Sequence, residues 1–416
     1  MLTLTKSRGT GGVIKSEPAD FIVKEITGGG VSLSPDVQYT AISAGDSEDV
    51  VGKFTTFVLQ KENWNTVQAV ISVAKRLGRG KKAVSYAGTK DRRAITVQLA
   101  SIYGVGPERV ARVRIKDIKI NGAWKSNGVE LGSNEGNSFE IVVREAGDVG
   151  DAMATIDELH GRMPNYFDRQ RFGDRLGNAA VGLDIMRGDF EGAAMRILTD
   201  TTGERNAEAT AARDRLREER DFRAALEYFP RYLKPERSML ENLARYGNYA
   251  NAIRVLPRGI SIMFIHAVES LVFNMSLEQR IGSGDFESVL YCREGRLGFP
   301  EGESVTAEKT PHPAAALIGY ETKEEHVDER SAAAMERIGI TRDSFRIKGM
   351  PELSMRGAYR AMLAPVKGLS AGTVGEGTIK LAFSIPSGSY ATVLVNEITK
   401  ADNLDLGALW HARQDS

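Results

Sequence analysis

The chain has 416 residues with 55 Lys+Arg, 55 Asp+Glu and a formal net charge of zero, too long for one hydrophobic core, so two or three domains are expected. Zero net charge excludes a uniformly basic coat but leaves local patches open. The single Cys292 excludes an internal disulfide and a thiolate metal cluster and fits a reducing compartment, and the five histidines show no metal-site spacing.

Residues Met1 to Gly12 are polar and Gly-rich with no apolar h-region, so no signal peptide is expected. No stretch approaches the length of a membrane span. Phe21 to Ile26 reads as a strand bounded by Pro18 and by Gly28-Gly29-Gly30. Phe54 to Leu59 is a second apolar run. Asn65-Thr66 offers an N-cap, and Val67, Val70, Ile71 and Ala74 follow at helical spacing toward Gly78. Ala83 to Ala87 and Ile95 to Leu99 read as paired strands, with Ile95, Val97 and Leu99 alternating against Thr96 and Gln98. Phe139, Ile141 and Val143 mark another strand. From Asn178 to Gly284 the pattern is mostly helical. Within it, the Arg- and Glu-rich Thr201 to Arg223 reads as a solvated face and Ile260 to Ile281 as a buried helix. Glu321 to Glu336 is charged and expected to be exposed. Ile379 to Ile385 alternates as a strand, Pro386-Ser387-Gly388 breaks it, and Tyr390 to Lys400 returns to helical spacing. A β-rich start, a helical middle and a late strand predict an α+β domain with a helical domain inserted in it.

Chemistry concentrates in the turn Gly88-Thr89-Lys90-Asp91-Arg92-Arg93, where a carboxylate rides between two strands among cations. From Lys75 to Arg93 eight cations surround the single acid Asp91, a cluster able to neutralise phosphates. The bland alternative is a solvated helix end and hairpin tip. A second constellation, Asn165-Tyr166-Phe167-Asp168-Arg169-Gln170-Arg171-Phe172-Gly173, mixes aromatic, amide and guanidinium groups suited to unstacked bases and phosphates. Its alternative is a buried turn, and at least one of the three aromatics is expected in the core. Lys15, in isolation, is one lysine among many.

Gly88 to Gln98 resembles the catalytic motif of the TruD family of tRNA pseudouridine synthases, and Asn165 to Gly173 resembles that family's second signature. Pro18 to Val23, Leu131-Gly132 with Gly136 to Phe139, His266 to Asn274 and Pro386 to Thr392 are also similar, in the family's order, over nearly the whole chain. Asp168 departs from the pattern, which usually has Gly there. Because Asp tolerates a left-handed backbone, the turn is expected to survive.

The resemblance implies a pseudouridine synthase fold, with a mixed, largely antiparallel sheet flanked by helices. It places the catalytic domain at 1–173 and 351–416 and an inserted, mainly helical domain at 174–350. It implies conversion of a uridine of tRNA, by family habit the one at position 13, to pseudouridine by a cytoplasmic enzyme. Neither cofactor, metal nor membrane is called for, and the oligomeric state is left open, a monomer being compatible. Asp91 maps to the essential carboxylate and Lys15 to the cation that keeps it ionised. Phe167 is expected to stack on the flipped-out uracil, and Asn165 to fix the loop or the base. Phe21 and Arg171 are assigned to the substrate, and Lys90, Arg92 and Arg93 to the flanking RNA backbone. Two rivals are a non-catalytic RNA-binding protein, which would not need the carboxylate, and a metal-dependent nuclease, which would need clustered carboxylates.

Overall fold

The computed structural model describes residues 1–41, 52–292, 312–402 and 404–410. Its strands are β1 Val13–Ile14, β2 Phe21–Ile26, β3 Phe54–Glu62, β4 Val84–Tyr86, β5 Ile95–Tyr103, β6 Ile118–Ser126, β7 Gly136–Arg144, β8 Arg162–Pro164, β9 Leu290–Cys292, β10 His312–Leu317, β11 Ala358–Ala361, β12 Leu363–Pro365, β13 Lys367–Gly375 and β14 Thr378–Pro386. Its helices are α1 Thr66–Arg76, α2 Pro107–Ala111, α3 Val149–Leu159, α4 Arg169–Phe172, α5 Asn178–Arg187, α6 Phe190–Thr199, α7 Ala207–Glu219, α8 Phe222–Tyr228, α9 Lys234–Tyr246, α10 Tyr249–Arg254, α11 Arg258–Ser283, α12 Glu329–Arg337 and α13 Ala391–Thr399.

The main sheet runs β13-β14-β7-β2-β5-β3-β6, with β1 added on β7 and β4 on β5. Among the described residues of this sheet only β2 and β5 pair in parallel, Ile22 opposite Ile95; the other ladders are antiparallel. Side chains alternate across a strand, so Phe139 and Ile141 of β7 share a face with Phe21 and Val23 of β2 and with Leu381 and Phe383 of β14. Phe139 stacks on Phe383 at 5.3 Å and meets Phe21 edge-on at 6.0 Å. The parallel β2/β5 pair aligns the starts of both strands, so the loop before Ile95 and the turn before Phe21 lie at one end of the sheet.

The alternation of β5 does not divide core from solvent. Thr96 and Gln98 are as buried as Val97. β5 is an interior strand covered on both faces: Val97 packs with Leu33, Val58 and Trp124, while Ala100 and Ile102 meet α1 and α2. The polar face therefore lies under α1, where hydrogen bonds must satisfy it. Asn65 caps α1 as its sequence predicts, its Oδ1 accepting from Val67 N at 2.9 Å and Gln68 N at 3.3 Å.

Helices α5 to α12 pack together, and their apolar side chains share one core with β2, β7 and β14. Gly182 of α5 lets α11 approach closely, since a Cβ there would stand 2.2 Å from Phe264 O. Contrary to the sequence expectation, one helix among the described residues, α11, is long and apolar enough to cross a membrane. Its apolar window is 78% buried within the protein, which makes it a core helix. The charge run around α7 is largely exposed, except for Arg213, which is buried against Glu204, Glu236 and the carbonyls of Ile197 and Leu198. A small sheet β11-β10-β9 belongs to this region, and β12 pairs with β8 where the chain leaves and re-enters the main sheet's body.

Candidate active site

Asp91 stands on the loop between β4 and β5, and that loop is fixed at nearly every residue. Gln98 Nε2 donates to Gly88 O at 2.9 Å, and Lys90 N donates to Thr66 Oγ1 at 3.0 Å. Lys61, at the end of β3, donates to Asp91 O at 2.7 Å. The buried polar residues under α1 thus clamp the loop from below, which frees the Asp91 carboxylate to face outward.

Lys15 reaches that carboxylate. The β1/β7 pairing carries the chain past the start of β2, and Lys15 then adopts φ +59°, a left-handed backbone unusual for a lysine. Its Nζ donates to Asp91 Oδ1 at 2.5 Å and lies 4.1 Å from the centre of the Phe21 ring. The ammonium is therefore held between a carboxylate and an aromatic face. Lys61 is a second cation beside the loop. Burial pushes its ammonium down to about 8, opposed by the attraction of Asp91 and reinforced by Lys90.

Lys90 points inward rather than toward a ligand's backbone. Its Nζ lies 2.7 Å from Glu25 Oε2 in a buried ion pair, and Glu25 Oε1 accepts from Leu99 N at 2.9 Å. A buried carboxylate needs such a partner. Arg92 is exposed, and Arg93 is exposed with its Nη2 donating to Ser16 O at 2.8 Å.

Two cavities meet at Asp91. One, of about 420 Å³, is lined by Phe21, Lys90, Asp91, Arg171, Met263 and Tyr390 among others. The other, of about 1040 Å³, is a cleft reached by Lys15, Asp91, Gln170, Arg175, Thr392 and Asp402. Met263 comes from α11, so the helical region supplies part of the smaller cavity's wall.

The second sequence constellation lies behind that wall. Tyr166, Phe167 and Phe172 are all core residues. Phe167 is 1% exposed, which differs from the expectation of a free stacking face. Its ring is enclosed by Phe273 at 5.7 Å, Tyr390 at 6.3 Å and the guanidinium groups of Arg171 at 4.8 Å and Arg360 at 4.0 Å. Large rings pack when neighbours allow it, and here two cations also cover the ring. The rings that do line the smaller cavity are Phe21, Phe139 and Tyr390.

Asn165 is fully buried and holds backbone together. Its Nδ2 donates to Ala361 O at 2.9 Å, and its Oδ1 accepts from Arg360 at 2.8 Å and from Ser389 Oγ at 2.9 Å. Asp168 has φ −95° and ψ 176°, so it needs no left-handed tolerance; the left-handed residue of this turn is Gly173, at φ +84°. The Asp168 carboxylate accepts from Thr392 Oγ1.

Sequence reasoning did not single out Lys61, Glu25, Arg360 or Tyr390. Tyr390 had a visible signal, an aromatic two positions after the Pro386-Ser387-Gly388 breaker. The others act through partners remote in sequence. No group of three or more metal-ligating side chains occurs among the described residues.

The chain as a whole is similar to known proteins. The family described as tRNA pseudouridine synthase D (TruD) matches residues 1–398. A Methanosarcina acetivorans protein named probable tRNA pseudouridine synthase D is 31% identical over 438 aligned positions, covering 97% of this chain and 96% of the relative. A protein of the same name from Methanopyrus kandleri is 35% identical over 363 positions, covering 85% of this chain and 87% of its own length. A Methanosarcina mazei TruD crystal structure superposes with a TM-score of 0.71 at 30% identity, covering 96% of each chain. With an α+β pseudouridine synthase fold and these relatives, the chain belongs to the tRNA pseudouridine synthase D (TruD) family of RNA isomerases.

Proposed function

We propose that this chain converts a uridine of tRNA, the one at position 13, to pseudouridine, with Asp91 as the catalytic carboxylate. The observation that carries the assignment is the Lys15–Asp91 contact of 2.5 Å at the junction of two cavities. Isomerisation breaks the N1–C1′ bond, turns the uracil, forms C5–C1′ and moves the C5 proton, with no net oxidant or hydrolytic water. A carboxylate held against the ribose serves either first step, attack by its oxygen or removal of a ribose proton. In both it acts as the carboxylate, with the Lys15 ammonium 2.5 Å away as its counter-charge.

The target base is flipped from its helix into the smaller cavity. The ring exposed to it there is Tyr390 rather than Phe167. Phe21 lies beneath the Lys15 ammonium, Arg171 and exposed Arg92 and Arg93 meet phosphates, and Asn165 supports the wall. Lys90 keeps Glu25 neutralised below the loop. The working division is 1–173 with 351–416 as the catalytic domain and 174–350 as the insertion. Action on tRNA supports a cytoplasmic location.

The deciding experiment maps pseudouridine in total tRNA incubated with the wild type and with Asp91→Asn. The variant is expected to lose product while keeping most of its tRNA affinity. An unchanged yield would overturn the catalytic assignment, and full affinity without product in the wild type would favour a non-catalytic RNA binder.

A further inference from the structure

From Trp64 to Lys116 the chain carries twelve Lys and Arg against two acids, Asp91 and Glu108, although the whole chain balances 55 against 55. Apart from Lys90, Arg92 and Arg93 on the Asp91 loop, folding places this surplus in one layer. α1 and α2 cover the same face of β3, β5 and β6 over one apolar cluster that includes Val73, Leu77, Val110 and Val113. Lys75, Arg76, Lys81, Lys82, Arg109 and Arg112 point from that layer into solvent. Arg79 ties its two parts, donating to Gly104 O at 2.5 Å just before α2.

Among the described residues, none of those six exposed cations has a carboxylate within ion-pair distance. Several exposed cations elsewhere do: Lys119 with Asp36, Arg215 with Glu219, Arg220 with Glu191, Arg254 with Glu352. A surplus left uncompensated keeps the cost of its own repulsion unless an outside anion relieves it.

The layer also has a direction. α1 begins at the Asp91 loop, where Thr66 Oγ1 accepts from Lys90 N at 3.0 Å, and ends at Lys75 and Arg76. Eleven helical residues span about 16 Å. β4 leads back from Lys81 and Lys82 to the same loop, and its partner stretch on β5 is the end far from Asp91. The cations of the patch therefore stand farther from the carboxylate than one everted nucleotide reaches.

We propose that the outer surface of α1, the Lys81–Lys82 turn and α2 is a second contact site for the substrate. It binds the phosphate backbone of a tRNA segment remote from the target uridine. This rests on the tRNA reading of the active site. It assigns the patch to docking, so it sets affinity and salt dependence while leaving the chemical step alone.

The test compares wild type with Lys75→Ala/Arg76→Ala/Lys81→Ala/Lys82→Ala, all surface positions. Dissociation constants are measured across a salt series for full-length tRNA transcripts and for a short hairpin cut around the target uridine. An independent variant, Arg109→Ala/Arg112→Ala, probes the α2 half. For full-length tRNA the expected result is a weakening of about tenfold or more at moderate salt, with a log Kd–log salt slope smaller by roughly 3 for the fourfold variant. Hairpin binding and single-turnover rate at saturation stay at wild-type values. Unchanged affinity and slope on full-length tRNA would overturn the proposal. Equal weakening on the hairpin would also overturn it, since the charges would then act at the target site. Because Kd is read without turnover, a wild type that binds through the patch but makes no pseudouridine would defeat the catalytic reading alone.

Discussion

Arg360 grips Asn165 at two oxygens, its Nε donating to the backbone carbonyl and its Nη2 to Oδ1, both at 2.8 Å. Nη2 also donates to Gly388 O at 3.0 Å, and the guanidinium lies over the ring of Phe167. One side chain thereby joins β11, the segment after β8 and the turn after β14, directly behind the smaller cavity. No carboxylate pairs with it among the described residues, and burial pulls it down to about 9. Carbonyl oxygens and aromatic faces provide its compensation.

Arg360→Met is expected to lower stability by about 3 kcal/mol or more, because it leaves buried oxygens of Asn165 and Gly388 without their donor. With the wall loosened, kcat is expected to fall on the order of tenfold to a hundredfold, while KM changes less. Thermal unfolding and steady-state rates on tRNA check this. A folded, fully active Arg360→Met would show that the bridge does not position the site.

Lys15→Met removes the only side-chain ammonium bonded to the Asp91 carboxylate among the described residues. A loss in single-turnover rate of about a hundredfold is expected, the scale of a removed charge stabiliser. Lys15→Arg is expected to recover part of it, since the charge returns in a bulkier shape. Equal rates for wild type and Lys15→Met would remove the lysine from the mechanism.

Phe167 and Tyr390 separate stability from binding. Phe167→Ala opens a core cavity and is expected to cost about 3–5 kcal/mol. Tyr390 is half-buried and faces the cavity, so Tyr390→Ala is expected to cost less stability but to weaken handling of the flipped base by about 1–3 kcal/mol of stacking. Chemical denaturation and single-turnover kinetics on the two variants read both effects; the reverse ranking would return the stacking role to Phe167.

Lys61 predicts a pH dependence of stability. Its folded-state value of about 8 lies below the ordinary lysine value of 10.5. Between these limits the unfolded chain binds more protons at this group than the folded one, so its contribution to stability rises with pH through the window. Below about 8 both states are protonated and the penalty of the buried ammonium is constant, up to about 3 kcal/mol for a shift of this size. Denaturant titrations of wild type and Lys61→Met from pH 7 to 10.5 should therefore show a difference that shifts in favour of the wild type as pH rises. A constant difference would contradict the buried-ammonium assignment.

Periodicity and local signals carried much of the fold. β2, β7, β14, α1 with its Asn65 cap and the Asp91 turn are all written in runs of twelve residues or fewer, because alternation, helical spacing and capping are neighbour effects. The ordered motifs carried the family for the same reason. Which groups face one another was decided by the tertiary structure alone. The polar face of β5 became a buried clamp because α1 folds over it, Lys90 turned inward because Glu25 waits across the β2/β5 pair, and Arg360 meets Asn165 across 195 positions of sequence. Hydrogen bonds and charge pairs act over a few ångströms of space, and only register and packing set those distances between residues far apart in the chain.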